Sequence, residues 1–178
     1  MMIAMAGLPG VGKTTLATAL AAHLNAIVLN KDEVRVAHFG LHVEYTLEQD
    51  DFCVDLMYFT TAWLARKEPN TVVLIDGCTY TRAYQVDTLR QTATDLGQAL
   101  FVIECDCDPE LAIARLKEDL AAGQHPAANR TPELYWEFRA AAEPITTPKL
   151  LVDTARPVET SVEDCLRHLT VPTGAALA

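Results

Sequence analysis

Short apolar runs alternate with amphipathic segments along most of the chain. Five runs are apolar at nearly every position and predict β-strands at residues 2–6, 26–30, 71–76, 99–105 and 149–154. Continuous apolar strands of this kind are typical of a parallel sheet that is buried on both faces. The pattern therefore predicts an α/β fold with helices packed on either side of the sheet.

The segments between these strands have helical spacing, with apolar residues at steps of three or four. They predict helices around residues 13–24, 52–63, 86–96, 109–123, 132–143 and 161–169. The second of them carries an aromatic and aliphatic stripe that we expect to face the core, or to line a ligand pocket along one edge: Phe52, Leu56, Phe59 and Trp63. No linker, repeat or low-complexity block interrupts the alternation, so we expect one domain over residues 1–178.

Half of the 178 residues are apolar and 21% are charged, which is ordinary globular composition. The formal net charge of −10 argues against a broad nucleic-acid footprint, which usually has a basic balance. The five cysteines are odd in number, and no pair has the two-residue spacing of a zinc or redox motif. We therefore expect buried reduced thiols and a cytoplasmic protein. We also expect no targeting segment and no membrane span, because no apolar run has the required length.

The stretch GLPGVGKTT, from Gly7 to Thr15, carries the clearest chemistry. It has the Walker A spacing and lies between a predicted strand and a predicted helix. Glycines allow successive N–H groups to point at one anion, the helix N-terminus adds positive potential, and Lys13 adds a mobile charge. The residues predicted to bind the nucleotide are Gly7, Gly10, Val11, Gly12, Lys13, Thr14 and Thr15.

A phosphate-binding loop of this type works with Mg²⁺, so ATP and Mg²⁺ are the predicted cofactors. The Thr14 hydroxyl is placed to bind the metal. Asp76 ends the apolar run VVLI, where a second metal-organising carboxylate is expected. The alternative for Asp76 is a strand-end aspartate that caps the next turn.

Asp32 and Arg35 follow the second predicted strand, three residues apart. Ligands of doubly wound sheets bind beyond the carboxyl ends of the strands, and residues at this spacing share a helix face. We predict that Asp32 accepts the proton of an incoming hydroxyl group and that Arg35 binds the acceptor. The alternative is a helix N-cap and a solvated arginine. Asn30-Lys31-Asp32-Glu33 departs from the guanine-reading N-K-x-D signature at Glu33 and follows an early strand, which excludes a GTPase switch.

In order and spacing, GLPGVGKTT, LNKDEVR, VVLIDGCTYTRAYQ and CDCDPELAIARL resemble the small P-loop kinases related to bacteriophage polynucleotide 5′-kinase, zeta toxins and chloramphenicol phosphotransferase. The resemblance extends to about Asp153. It implies a single three-layer P-loop NTPase domain with a five-stranded parallel sheet in the order 2-3-1-4-5 and a helical lid. It also implies that Asp32 is the general base and that Arg35 helps to hold the acceptor.

The resemblance places the lid at about residues 115–132. Arg115 matches the arginine that opens this lid, whereas Asp119 stands where polynucleotide kinases have a second arginine. Arg130 is predicted to replace that arginine from the far side of the loop. Both arginines are expected to neutralise charge on the transferred phosphoryl group, with packing for Arg115 and a plain surface position for Arg130 as the alternatives.

Three further residues have two interpretations each. Thr79 and Arg82 follow Asp76 and are candidates for acceptor binding or for a turn and helix cap. Arg156 follows the fifth predicted strand, where related kinases contact adenine, and is otherwise a surface charge.

The sequence thus predicts a kinase that moves the γ-phosphate of ATP to a hydroxyl of a small molecule. Its predicted catalytic residues are Lys13, Asp32, Arg115 and Arg130. The acidic balance and the missing lid arginine favour this acceptor over a nucleic-acid end, although a polynucleotide 5′-hydroxyl kinase remains an alternative. A nucleotide-binding regulator or slow ATPase that transfers to nothing is the other alternative.

Overall fold

One parallel sheet forms the centre of the molecule. The computed structural model describes residues 1–123, 126–127 and 129–170. The strands lie in the order β2-β3-β1-β4-β5, which confirms the predicted order. Their bounds are β1 Met2–Ala6, β2 Ile27–Asn30, β3 Val73–Asp76, β4 Leu100–Asp106 and β5 Leu150–Asp153.

Seven α-helices connect or follow these strands within the described residues. They are α1 Lys13–Leu24, α2 Lys31–Phe39, α3 Leu47–Lys67, α4 Ala83–Asp95, α5 Pro109–Ala122, α6 Pro132–Ala141 and α7 Val158–Thr170. The last helix begins before residue 161, because Pro157 and the residues after it already form its first turn. Residues 124, 125 and 128 of the predicted lid, and the C-terminal segment 171–178, lie outside the described residues.

The central strand β1 divides the core into two clusters, which gives the predicted three layers. Ile3 and Met5 pack in a cluster with residues of α1, α5 and α7. Met2, Ala4 and Ala6 point to the opposite face and pack with residues of α3 and α4. All five side chains are fully buried, as expected for the middle strand of a sheet that is covered on both sides.

The two edge strands differ from the prediction that every strand is buried. Ile27 of β2 is 38% exposed and Leu151 of β5 is 64% exposed. Each of these strands has a neighbour on one side only. The apolar pattern identified them correctly as strands, but it does not distinguish an edge from the centre of a sheet.

The predicted core stripe on α3 is wrong. Phe52, Phe59 and Trp63 are 51%, 71% and 51% exposed, and Leu56 is only half-buried. The helix turns a different set of residues inward: Gln49, Cys53, Met57, Tyr58 and Thr61.

Ion pairs of Asp50 explain why α3 turns a different face inward from the one that the sequence predicts. Asp50 forms ion pairs with Lys31 and Arg35 of α2. Cys53 and Met57 lie three and seven residues after Asp50, on the same helix face. The ion pairs that hold Asp50 against α2 therefore also direct Cys53 and Met57 to the interior, and Phe52, Phe59 and Trp63 are left exposed.

All five cysteines are buried and none forms a disulfide, as the sequence predicts. Among the helices of the described part of the chain, none combines the length and the apolar content that crossing a bilayer requires.

Candidate active site

The loop between β1 and α1 has the backbone of a phosphate-binding loop. Gly7 has φ +127°, and a Cβ atom there would lie 2.2 Å from the Cys105 carbonyl oxygen. Gly12 is the N-cap of α1 with φ +85°, and no side chain caps the helix. The N-terminus of α1 is thus presented to an anion rather than closed by a neighbouring side chain.

Lys13 is held at the bottom of this loop and is only 8% exposed. Its Nζ donates hydrogen bonds of 2.8 Å to the carbonyl oxygens of Gly7 and Leu8. Burial lowers the pKa of Lys13 to about 8, although the nearby Asp76 carboxylate acts in the opposite direction. The ammonium group is therefore poorly compensated until an anion binds.

Asp76 and Asn30 form one unit at the carboxyl ends of β2 and β3, where they are register partners. Asn30 Nδ2 donates to Asp76 Oδ2 at 2.8 Å. Asp76 is fully buried, and its Oδ1 makes no hydrogen bond within the described residues. A buried carboxylate oxygen without a donor suits a hard cation such as Mg²⁺. No group of three or more acidic, His or Cys side chains with metal-binding geometry occurs in the described residues, so a metal here would also need the Thr14 hydroxyl and the nucleotide.

Asn30 also places Asp32. Its side-chain oxygen accepts from the backbone N–H groups of Asp32 and Glu33, at 2.9 and 3.2 Å. Asn30 is therefore the N-cap of α2, and Asp32 is left to face the site from the first turn of the helix. The alternative in which Asp32 caps the helix is excluded by this geometry.

A large cavity of about 540 Å³ opens beside the loop. It contains most of the residues that the sequence assigns to the nucleotide: Gly10, Gly12, Lys13, Thr14, Thr15, Arg115, Arg130 and Arg156. Gly7 and Val11 do not line this cavity but lie on the inner side of the loop. The Gly7 N–H donates to the Thr79 carbonyl at 3.1 Å, and Val11 is fully buried.

Arg115 is tied to the loop through Thr154. Its Nη2 donates to the Thr154 carbonyl at 2.9 Å, and its Nη1 lies 3.3 Å from the Thr154 hydroxyl oxygen. That hydroxyl donates to the Val11 carbonyl at 2.6 Å. Arg115 is therefore held beside the phosphate-binding loop by neutral partners.

The other two arginines of this cavity contact carboxylates. Arg130 Nη1 lies 3.5 Å from Asp119 Oδ2. Asp119 is the position where polynucleotide kinases have the second lid arginine, and Arg130 is the residue predicted to take over its role. Arg156 forms an ion pair of 2.8 Å with Asp164 of α7 and also lines the cavity.

A second cavity of about 110 Å³ adjoins the first. Lys13, Thr14 and Arg130 line both cavities, and Asp32 lines the second. Asp32 and Lys13 thus face one cleft, as the sequence-based hypothesis requires.

Arg35 lies in the wall of the second cavity and not on the surface. It is 1% exposed, and its guanidinium group forms ion pairs with Asp32, at 2.6 Å, and with Asp50. Lys31 adds an ion pair of 2.7 Å to the same Asp50 carboxylate. The solvated-arginine alternative for Arg35 is wrong.

Thr79 lies inside the cleft, whereas Arg82 lies at its exposed edge. Thr79 lines the second cavity, and both residues line a further cavity of about 220 Å³. Arg82 is exposed and is the N-cap of α4, where its backbone N–H donates to Gln85 Oε1 at 3.3 Å. Arg82 therefore has the helix-cap position that the sequence offered as one alternative. Its side chain lies at the edge of the cleft.

Comparison with known proteins assigns the family. Residues 2–144 match the AAA domain family. The chain belongs to this family. A comparison with curated protein sequences finds no match.

Solved structures with the same fold include several kinases. A candidate kinase from Chloroflexus aurantiacus is 22% identical with a TM-score of 0.75, over 95% of this chain and 98% of that one. The APS kinase CysC of Mycobacterium tuberculosis is 17% identical with a TM-score of 0.72, over 96% and 97%. Kti12 of Chaetomium thermophilum is 15% identical with a TM-score of 0.71, over 95% and 97%. At these identities the likeness establishes the fold alone, an α/β domain with a five-stranded parallel sheet.

Sequence reasoning missed several residues of the site, among them Asn30, Asp50 and Thr154. Asn30 has a detectable signal, because it ends a strand just before a helix and Asn is a preferred N-cap. Asp50 and Thr154 have none, since each meets its partners only after distant elements pack together.

Proposed function

We propose that this protein is an ATP- and Mg²⁺-dependent phosphotransferase that moves the γ-phosphoryl group of ATP to a hydroxyl of a small molecule. The observation that carries this proposal is the shared cleft of Lys13 and Asp32. A cation for the phosphates and a carboxylate for a hydroxyl proton are the two groups that such a transfer needs at one place.

The large cavity suits the nucleotide. It has an open helix N-terminus, the buried Lys13 and the side chain of Arg115, which is held by neutral groups, and all three favour a bound triphosphate. Two neighbours of the same fold were solved with nucleotide ligands, the Mycobacterium tuberculosis APS kinase with AMPPNP and the Chaetomium thermophilum Kti12 with ADP-AlF3. These structures support the assignment of the cavity to ATP.

The second cavity suits the acceptor. The hydroxyl oxygen of the acceptor forms a bond to the γ-phosphorus, and the bond from that phosphorus to the β,γ-bridging oxygen breaks, which releases ADP. The hydroxyl proton passes to the Asp32 carboxylate. Lys13, Arg115 and Arg130 stabilise the charge that is spread over the phosphoryl oxygens, which is the main electrostatic task in such reactions.

Mg²⁺ fits the residues that are present. The Asp76 Oδ1 atom is buried without a donor, and the Thr14 hydroxyl lies on the nucleotide cavity. When bound, the metal would neutralise phosphate charge and favour one orientation of the triphosphate. Asp76 and Thr14 are the residues that would hold it.

The test is Asp32→Asn, compared with Asp87→Asn on the exposed face of α4. The first variant should bind ATP normally and lose phosphoryl transfer by about 10²–10⁴-fold, because it cannot accept the proton. The control should keep both properties. Transfer is measured with labelled ATP and a panel of hydroxyl acceptors, and ATP binding by calorimetry.

The same experiment separates the two other hypotheses. Unchanged turnover in Asp32→Asn would favour a slow ATPase or a nucleotide-binding regulator. Transfer to 5′-hydroxyl oligonucleotides alone would favour a polynucleotide kinase.

A further inference from the structure

We infer that the acceptor is an uncharged polyhydroxyl compound of monosaccharide to nucleoside size, and that Asp50 sets this preference. The inference rests on the proposed function and names the substrate class of the same cleft. It depends on a group of four charged residues in the wall of the acceptor cavity, Lys31, Asp32, Arg35 and Asp50, which we call the charge-paired wall.

The four residues of the charge-paired wall form ion pairs with one another. Arg35 bridges Asp32 and Asp50, and Lys31 forms its ion pair with the second oxygen of Asp50. The side chains are 2% to 22% exposed, so solvent screens these contacts less than it screens surface ion pairs. Each cation has at least one carboxylate at contact distance, and the formal charges of the four residues cancel.

Within the described residues, the four charges of the wall are paired with one another and none is left over for an anion on the acceptor. The other cations that line the cavity in this part of the chain are Lys13 and Arg130, which also line the nucleotide cavity and are assigned to the phosphates. A phosphate or sulfate on the acceptor would have to displace Asp32 or Asp50 from its partners or lie next to both carboxylates. Either arrangement costs more than it gains in a partly buried site.

The wall instead offers hydrogen bonds that a hydroxyl group can satisfy. Arg35 Nε is buried and makes no hydrogen bond within the described residues. A hydroxyl oxygen can accept from it without adding charge. Thr79 lines the same cavity, and Tyr45 and Phe138 add aromatic side chains to its lining. The Arg35 guanidinium lies over one face of the Tyr45 ring, at 5.4 Å from the ring centroid.

The size of the cleft limits the acceptor. The cavity of about 110 Å³ shares five lining residues with the adjoining cavity of about 220 Å³: Lys31, Tyr45, Asp50, Thr79 and Phe138. The adjoining cavity adds one cation, the exposed Arg82, and one carboxylate, Asp51, which accepts hydrogen bonds from the Tyr84 hydroxyl, so the formal charges that it adds cancel. Together the two cavities reach only the lower end of the range of roughly 300–1,000 Å³ that is usual for ligand sites.

The first test compares matched acceptors with the full-length wild-type protein. Ribonucleosides are paired with their 3′-monophosphates, and hexoses with both their 1-phosphates and their 6-phosphates, so that each hydroxyl stays free in one anionic partner. Transfer from labelled ATP is measured as kcat/KM. The neutral member of a pair should be preferred by at least about tenfold, because the phosphate would lie beside the Asp32 and Asp50 carboxylates, whose cations are already paired. A preference for the anionic members would overturn the inference and leave the phosphotransferase intact. If ATP binds but no member of any pair is labelled, the proposed function itself fails.

The second test is Asp50→Asn, with Asp87→Asn as the matched control. The variant removes one negative charge and leaves Lys31 without its carboxylate. The ratio of kcat/KM for the anionic over the neutral acceptor should rise by at least about tenfold, because a charge-assisted contact becomes available. The control should leave the ratio unchanged. An unchanged ratio in Asp50→Asn, in a protein whose thermal unfolding shows that it is folded, would contradict the role of Asp50.

Discussion

Two cations on each side of the cleft are held in opposite ways, whereas Arg130 and Arg156 on the nucleotide side contact the carboxylates of Asp119 and Asp164. On the nucleotide side, Lys13 and Arg115 are held by neutral groups: backbone carbonyls, the Thr154 hydroxyl and the Cys107 thiol. On the acceptor side, Lys31 and Arg35 are held by carboxylates. The first arrangement leaves positive charge available for phosphates, and the second cancels it. The contrast shows that the effect of a basic residue depends on its partners more than on its identity.

The halves also differ in how they are encoded. The nucleotide side rests mainly on one continuous stretch, from Gly7 to Thr15, whose backbone forms the site. The acceptor side combines side chains from α2, α3, α6 and the segment after β3. A backbone site of this type can serve any nucleotide, whereas side chains from several helices can change separately and adapt the fold to different acceptors.

Asn30→Ala should break the link between the two halves and have the largest effect. The side chain caps α2 below Asp32 and donates to Asp76. Its loss should reduce transfer by about 10–100-fold and raise the Mg²⁺ concentration needed for half-maximal activity, since residues that orient metal ligands have effects of this size.

Asn30→Asp separates the two roles of this residue, because it can still cap the helix but cannot donate to Asp76. It should keep the cap of α2 and show the Mg²⁺ defect, but its carboxylate would lie against the buried Asp76 carboxylate, so we expect a lower melting temperature at neutral pH that Mg²⁺ partly restores. Normal Mg²⁺ dependence in both variants would mean that the two halves are not linked through position 30.

A smaller effect is expected from pH on the nucleotide side. The pKa of Lys13 is lowered to about 8 in the nucleotide-free protein by burial, and a bound phosphate favours the charged form and raises it again. ATP affinity should therefore be full below pH 8 and fall above it, by up to about tenfold per pH unit.

Calorimetry in buffers of different ionisation enthalpy should then detect proton uptake on ATP binding at pH 8.5. Lys13→Met, which cannot titrate, should bind ATP weakly and without this uptake. Proton uptake of the same size in Lys13→Met would assign it to another group.

The smallest effect is expected from Phe59→Ser, which tests the orientation of α3. This orientation places Asp50 in the acceptor cavity. Phe59 lies nine residues after Asp50, on the opposite helix face, and is 71% exposed. Phe59→Ser should change the free energy of unfolding by no more than about 0.5 kcal/mol. Met57→Ala, at a fully buried position, should cost about 2–5 kcal/mol. If denaturant titration gave the reverse order, Asp50 would face away from the cleft.

The sequence predicted the position of the phosphate-binding loop and some of the residues that line the second cavity, and the roles of these residues in binding and catalysis stay predictions. The spacing of the glycines and of Lys13 was enough to predict the backbone geometry of the phosphate-binding loop. The spacing of Asp32 and Arg35 predicted that both lie in the acceptor cavity, and they do. The strand order came from the resemblance to small P-loop kinases and is confirmed. The edge strands and the outward stripe of α3 could not be predicted, because periodicity shows that a residue is apolar and not which neighbour covers it.

The most direct test of the account is a crystal structure of the protein with Mg²⁺ and a non-hydrolysable ATP analogue. The account predicts that the terminal phosphoryl group contacts Lys13 and the N-terminus of α1 and faces the Asp32 carboxylate across the acceptor cavity. A terminal phosphoryl group directed away from Asp32, or a wall of protein between the two, would contradict it.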